Sequence, residues 1–403
     1  MAAPAASATR FVPRTVFEVS PSIIRSYFLG HHKAGLRSMR EILSNIGLIL
    51  ECRDSRVPLT SANPLLESAL AGRDRIIVYT KTDLSPIPQS MRRLLENPTP
   101  PPPSSSSSLF LSLAVGAGAV EGVDKTHMVF TQENNPRTMK PLLHLIKKRA
   151  EAHDSLLGLR ALVVGMPNAG KSSLLNALRR EGMKLPGAAQ TGSNPGVTRK
   201  LSTPVRIIPA ASSSDKPTAT ADDNDNENSN DNYRDVGAGE GVYVLDTPGV
   251  FIPYVSDAES MLKLCLVGCV KDGVVPFETL ADYLLFLLNN REPALYAKLS
   301  EPTNDVDEFL DNIARRTGKL LKGGVPAREQ AADWVVKQWR KGELGRFGLD
   351  DLSKEGLEAR ARRLAREGGA NAPLSMNQAR KREKEARKAR NAAKRAAALD
   401  PGS

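Results

Sequence analysis

Leu159-Arg-Ala-Leu-Val-Val-Gly165-Met-Pro-Asn-Ala-Gly170-Lys171-Ser172-Ser173 decides the fold. Residues 159–164 form an apolar run of strand length, and residues 171–180 read as a helix. The spacing G-x-x-x-x-G-K-S between them fits a phosphate-binding loop, in the strand-to-helix context that gives the pattern its meaning. The glycines let the backbone wrap an anion and turn its N–H groups inward. Lys171 is expected to reach the β- and γ-phosphates and the Ser172 hydroxyl to bind Mg²⁺, while the helix presents its positive end to the charge. Asn168, Ala169, Gly170 and Ser173 complete the expected lining.

Three further stretches fit the same ligand. Thr80-Lys81-Thr82-Asp83 ends an apolar run and is similar to the base-reading N-K-x-D of GTPases, with Thr80 at the Asn position. The Asp83 carboxylate is suited to accept from the N1–H and 2-amino groups of guanine, a pair that adenine lacks, while the Lys81 stem covers the base. Asp246-Thr247-Pro248-Gly249 supplies D-x-x-G, with Asp246 on the metal and the Gly249 N–H at the γ-phosphate. Within residues 192–198, Thr198 is placed to add a second hydroxyl to Mg²⁺. Taken alone, T-K-x-D is a polar turn at a strand end and P-G-V-T an ordinary turn; their company with the phosphate loop gives them force. Most GTPases place the base reader last, whereas here it comes first, so the order is circularly permuted. The D-x-x-G motif then leads directly into the next domain, and hydrolysis can reposition it.

Around these motifs the chain alternates strands and helices. Residues 46–51, 75–79, 159–164 and 241–245 read as buried strands, with 128–130 as a fifth. Helices are expected at 36–43, 63–71, 139–152 and 171–180, which predicts an α/β doubly wound, mostly parallel sheet. After Tyr254 the pattern is helical only, with helices expected at 259–270, 276–289, 306–317 and 326–341. The expected division is a disordered stretch at 1–24, a GTPase domain at 25–253 with insertions at 97–108 and 204–240, a small all-helical domain at 254–349, and a basic Ala/Arg/Lys-rich tail at 350–403. The insertions are Pro/Ser-rich and Asp/Asn-rich, compositions that cannot build a core.

The net charge of +11 is concentrated near the C-terminus, where residues 354–395 hold 14 Lys or Arg against 5 Glu. A phosphate-rich partner and a solvated helical tail both fit that run. Residues 1–16 carry Arg10 and Arg14 and no acid, compatible with a mitochondrial transit peptide or an unstructured start. No apolar run reaches the 18 residues that suggest a transmembrane helix. Cys52, Cys265 and Cys269 are too few for a disulfide framework and read as buried thiols rather than zinc ligands.

Together the motifs resemble the circularly permuted ribosome-assembly GTPases of the bacterial RbgA/YlqF kind, and most of all their mitochondrial counterpart. Phe28-Leu-Gly-His31-His-Lys is similar to the family's F-P-G-H-M-x-K opening, and Glu51-Cys-Arg-Asp54-Ser-Arg56-Val-Pro58 with Asn63-Pro64 to its E-x-x-D-A-R-x-P…N-P segment. The loop, N-P-G-V-T and D-T-P-G follow in the family's order, and residues 266–272 resemble the start of its helical domain. Leu29, His32, Thr80 and the two insertions depart from the pattern. No Ser-Ala base-contacting motif is recognisable, and Phe130-Thr131 is the candidate replacement. The resemblance implies GTP binding, release of GDP and phosphate, and action in assembly of the large ribosomal subunit with its rRNA as partner. It also implies a mitochondrial location, on the matrix side and peripheral to the inner membrane. Val250 follows D-T-P-G where many GTPases carry a water-orienting Gln, and an apolar side chain cannot activate water. The resemblance points instead to His31 as the catalytic group; the plainer reading is a helix cap or packing residue. It also allows a K⁺ ion beside Asn168. The rival readings are a non-catalytic RNA-binding assembly factor and a GTPase acting on a membrane or protein target.

Overall fold

A computed structural model of the chain describes residues 11–20, 23–27, 30–85, 126–153, 158–192, 196, 198, 201–210, 240–252, 255 and 257–370. Among these, the side chains of His31, Thr126 and 363–370 are outside the description. The insertion at 97–108, most of the second insertion and the tail beyond 370 lie outside the described residues.

Six strands form one sheet in the order β3-β2-β1-β4-β6-β5: β1 Leu48–Asp54, β2 Arg75–Thr80, β3 Thr126–Phe130, β4 Leu159–Gly165, β5 Val205–Ile208 and β6 Val242–Asp246. All neighbours are parallel except β5, which runs antiparallel along β6 at the edge. Alternate residues face opposite sides, as the strand period requires. Leu48, Leu50, Cys52, Val163 and Val244 pack under α3 (Pro136–Glu151) and α4 (Lys171–Met183). Ile49, Leu162, Val164 and Leu245 pack under α1 (Gly30–Ile42) and α2 (Pro64–Ala69). This is the expected doubly wound arrangement with helices on both faces.

β1 runs three residues past the apolar run because its polar end is paired. Arg53 bridges Glu51 and Glu67 at 2.6 Å each, and Arg75 meets the same two carboxylates at 3.0 and 2.7 Å. Glu51 and both arginines are buried, a placement tolerated only because each charge has opposite partners.

The helical domain contains α5 Ala258–Leu266, α6 Phe277–Arg291, α7 Val306–Thr317 and α8 Arg328–Lys341, followed by α9 Lys354–Ala370. Asp257 and Asp305 cap α5 and α7 by accepting from Ser260 N and Asp307 N. Leu264, Leu284, Phe309, Val335 and Trp339 form its core, continuous with Val57, Met166 and Phe251 of the GTPase domain.

Three expected boundaries are corrected. Residues 11–20, expected to be disordered, cross α6: Arg14 pairs with Asp282 at 2.5 Å and Phe17 packs edge-on against Tyr283 at 5.1 Å. Val205–Ile208, expected inside an insertion, is β5, and its Ile207 and Ile208 are buried beside β6. The GTPase core therefore extends past residue 204, to the end of this strand. The tail does not start at 350 either. The buried Asp350 carboxylate accepts from Leu59 N at 2.9 Å, Thr60 N at 2.8 Å and Thr60 Oγ1 at 2.5 Å, and Leu357 is fully buried. Asp350→Ala removes the carboxylate and leaves two buried backbone N–H groups and the Thr60 hydroxyl without their acceptor. It is expected to cost about 2–3 kcal/mol, read as a lowered midpoint in urea unfolding.

Candidate nucleotide site

β4 ends at Gly165, whose φ of +142° and approach to the Cys52 carbonyl, within 2.3 Å of any Cβ, exclude a side chain there. The loop after it turns through Asn168 (φ +55°) and Gly170 (φ +81°) into the first turn of α4. Lys171 is 6% exposed and its Nζ donates to Met166 O at 2.7 Å. Burial pushes its ammonium below the ordinary lysine range, against the opposing pull of Asp246. A lysine held as a cation against that cost inside an amide-lined loop is poised for an anionic ligand.

The strand ends bring the other motifs to this loop. Thr80, Lys81, Asp83, Asn168, Gly170, Lys171, Ser172, Ser173, Thr198 and Gly249 all line one cavity of about 810 Å³ at the C-terminal ends of β2 and β4, the place where doubly wound sheets bind ligands. Ala169 lies buried behind it. Thr80, at the Asn position, keeps a brace: its Oγ1 donates to Ala169 O at 2.9 Å, tying the base loop to the phosphate loop. Lys81 Nζ adds a second tie to Asn168 O at 2.7 Å. Thr131 N and Oγ1 donate to Tyr79 O at 2.7 and 3.3 Å, and Thr82 N donates to Thr131 O at 3.3 Å. The segment after β3 thus sits beside Asp83, where the Phe130-Thr131 candidate was expected.

At the other end of the cavity, Ser172 Oγ lies 2.5 Å from Asp246 Oδ2 and 3.2 Å from Thr198 Oγ1, and Thr198 Oγ1 lies 3.3 Å from the same Oδ2. Asp246 Oδ1 is buried with no hydrogen-bond partner among the described residues. Two hydroxyls and a carboxylate with an unsatisfied oxygen form a hard-oxygen set that fits Mg²⁺. The D-T-P-G turn is pressed onto the phosphate loop, since a Cβ on Gly249 would fall 2.6 Å from Pro167 Cα.

Val250 is buried on the α1 side of the sheet and its N–H donates to Gly165 O at 3.1 Å, so it does not reach the cavity. His31 lies in the first turn of α1; its side chain is outside the described residues. The neighbouring His32, treated in the sequence only as a departure from the family pattern, is 1% exposed and its Nδ1 donates to Gly249 O at 2.8 Å, with Tyr27 and Phe251 against its ring. Sequence reading missed a third wall, formed by Trp334, Lys337 and Lys341 of α8. Nor did it show that Asn168 Nδ2 donates to Gly268 O at 2.7 Å, a contact from the phosphate loop to the helical domain. The three cysteines are buried, and burial pushes the Cys265 and Cys269 thiols up to about 12.

Residues 160–319 match the family described as "50S ribosome-binding GTPase". Over 86% of its length the chain is 36% identical to "Mitochondrial GTPase 1" of Schizosaccharomyces pombe, of which it covers 95%. The chain belongs to the Mitochondrial GTPase 1 family. The Mitochondrial GTPase 1 relationship extends to "Mitochondrial ribosome-associated GTPase 1" of Xenopus tropicalis, at 27% identity over 84% of this chain and 98% of that one. It reaches "Ribosome biogenesis GTPase A" of Priestia megaterium, at 26% identity over 81% and 97%. As a member, the protein is a GTPase, and its four nucleotide motifs stand in permuted order on the sheet just described.

Proposed function

We propose that this protein is a GTP-hydrolysing switch in assembly of the large mitochondrial ribosomal subunit, with turnover stimulated by rRNA. The observation that carries the reading is that Asp83 lines the same cavity as Lys171, Ser172 and Thr198, so the residue suited to read a base and those suited to hold phosphates and their metal face one space. The relatives' names, with ribosome association in one and ribosome biogenesis in another, support the ribosomal partner.

In this reading Asp83 takes the guanine edge, Lys81 covers the base, and Thr80 holds the base loop to the phosphate loop. The N–H groups of residues 168–173 and Lys171 hold the phosphates. Ser172, Thr198 and Asp246 would hold Mg²⁺, which would neutralise charge on the phosphate oxygens. A K⁺ ion held by the Asn168 side-chain oxygen, whose Nδ2 is committed to Gly268 O, would add to that neutralisation. The Gly249 N–H meets the γ-phosphate, and His32 fixes the turn that carries it. His31, one residue earlier on α1, orients the attacking water in place of the buried Val250. The protein acts on the matrix side, peripheral to the inner membrane. No helix among the described residues is long and apolar enough to cross a bilayer, and the basic run at 354–395 supplies cations for rRNA phosphates.

GTP turnover with and without purified large subunits tests the proposal. Stimulation that is abolished by nuclease treatment of the subunits is the expected result; identical rates with and without subunits would overturn the switch reading. His31→Ala is expected to keep GTP affinity while losing the stimulated rate by about 10²-fold or more, the usual worth of a positioned acid–base group. Unchanged stimulation would remove His31 from the mechanism.

A further inference from the structure

The helical domain does more than follow the GTPase domain in the chain. The carbonyls at the end of α5 and in the turn after it, at residues 265–268, accept from Asn168, Arg340 and Arg56, which also line the nucleotide cavity. Asn168 of the phosphate loop holds Gly268 O at 2.7 Å. Arg340 of α8 holds Cys265 O and Leu266 O at 2.9 Å each and Asp272 at 2.8 Å. Arg56, after β1, reaches Val267 O at 3.4 Å and Arg340 O at 3.5 Å, and its guanidinium lies 5.1 Å over the Trp339 ring.

Arg56 is itself locked to Asp54 by a fork of 3.0 and 2.8 Å. Lys81 Nζ donates to Asp54 Oδ2, the oxygen that also takes Arg56 Nη2, at 2.9 Å. Burial pushes the Asp54 carboxyl up, but Arg56 and Lys81 together reverse this and hold it well below the ordinary carboxylate range. One buried anion therefore joins the lysine beside the base to the arginine that grips the helical domain. A second contact lies next to Asp83: the C-terminal end of α8 presses on Leu84, where a Cβ on Gly342 would come within 2.9 Å of Leu84 Cδ2. α8 also lines the cavity directly, through Trp334, Lys337 and Lys341.

We propose that the docked helical domain is a working wall of the guanine-nucleotide site, and that Asp54 and Arg56 are positioning residues through which its docking sets nucleotide affinity. This rests on the reading of Lys81 and Asp83 as the base-contacting pair. Because the same groups serve docking and binding, the two are linked reciprocally: docking tightens the nucleotide, and the nucleotide tightens docking by the same factor.

The test uses the full chain with GDP as ligand. Asp54→Asn and Arg56→Lys are each expected to raise the GDP Kd about tenfold, within the usual range of such couplings. In the unaltered protein, GDP should slow amide hydrogen exchange at residues 265–268 and 338–342, and Arg56→Lys should abolish that slowing. A merely structural role for the pair would not produce a nucleotide-dependent response in α5 and α8. Absence of GDP-dependent slowing in the unaltered protein overturns the proposal even if the variants fold poorly, as does wild-type GDP affinity in both variants. Asp83→Asn separates the two layers. If that variant binds GDP normally, the base reading has failed; if it loses GDP while Arg56→Lys keeps it, only the coupling has failed.

Discussion

Lys171→Ala is expected to lower kcat/KM for GTP by about 10³-fold, equivalent to roughly 4 kcal/mol of lost transition-state stabilisation. The reason lies in what the fold does to this side chain. It is anchored at the first turn of α4 and buried, with its ammonium resting on Met166 O inside the phosphate loop. That arrangement keeps a cation out of water with few partners, a cost that makes sense where an anionic ligand replaces the missing solvation. Removing the ammonium leaves the loop amides but no point charge for the developing negative charge on the γ-phosphate. The fold should survive, because alanine relieves a desolvated charge. Steady-state turnover together with a thermal melt checks both halves. Wild-type kcat/KM in a folded Lys171→Ala protein would mean that the phosphates are held elsewhere.

Asp83→Asn is expected to invert base preference, lowering the preference for GTP over XTP by about 10³-fold or more. A site built to accept two donors is strongly selective against a base that cannot satisfy it. Asparagine places an amide donor where guanine presents its own donors, and xanthine offers a carbonyl there instead. The local frame should hold the substituted side chain in place: Thr80 is tied to Ala169 O, Lys81 to Asp54 and Asn168 O, and Thr82 to Thr131 O. Competition of GTP and XTP for turnover measures the change. If GTP remains preferred, the base is read by other groups, with the segment at Thr131 the first to examine.

The motifs were legible because each carries its own spacing, and the apolar runs placed five strands to within a few residues. What escaped the reading has physical causes. β1 continues through Arg53 and Asp54 because tertiary ion pairs satisfy charged residues that a hydrophobic-run criterion treats as a strand end. β5 has four residues and follows Pro204, too short for periodicity to register and adjacent to a low-complexity stretch. Arg14 and Phe17 sit in a segment of unremarkable composition, and only the α6 surface gives them a role. The third wall of the site was invisible for a different reason. It depends on how two domains meet, and the meeting uses the backbone carbonyls of Val267, Gly268 and Arg340, which leave no signature in residue type.

The chain leaves the GTPase domain beyond Gly249, crosses to the helices, and comes back at Leu349 and Asp350 to the segment after β1, where it bonds to Arg56 O, Leu59 N and Thr60 N. A body fastened at both its entry and its exit resists being pulled straight away, and it can turn about the line between the two fastenings only as the intermediate contacts at Asn168, Arg56 and Leu84 give way. One of those pivots adjoins the turn expected to sense the terminal phosphate. Loss of that phosphate should thus reach the helices as torque, and whatever rests on their outer surface would be rotated rather than let go.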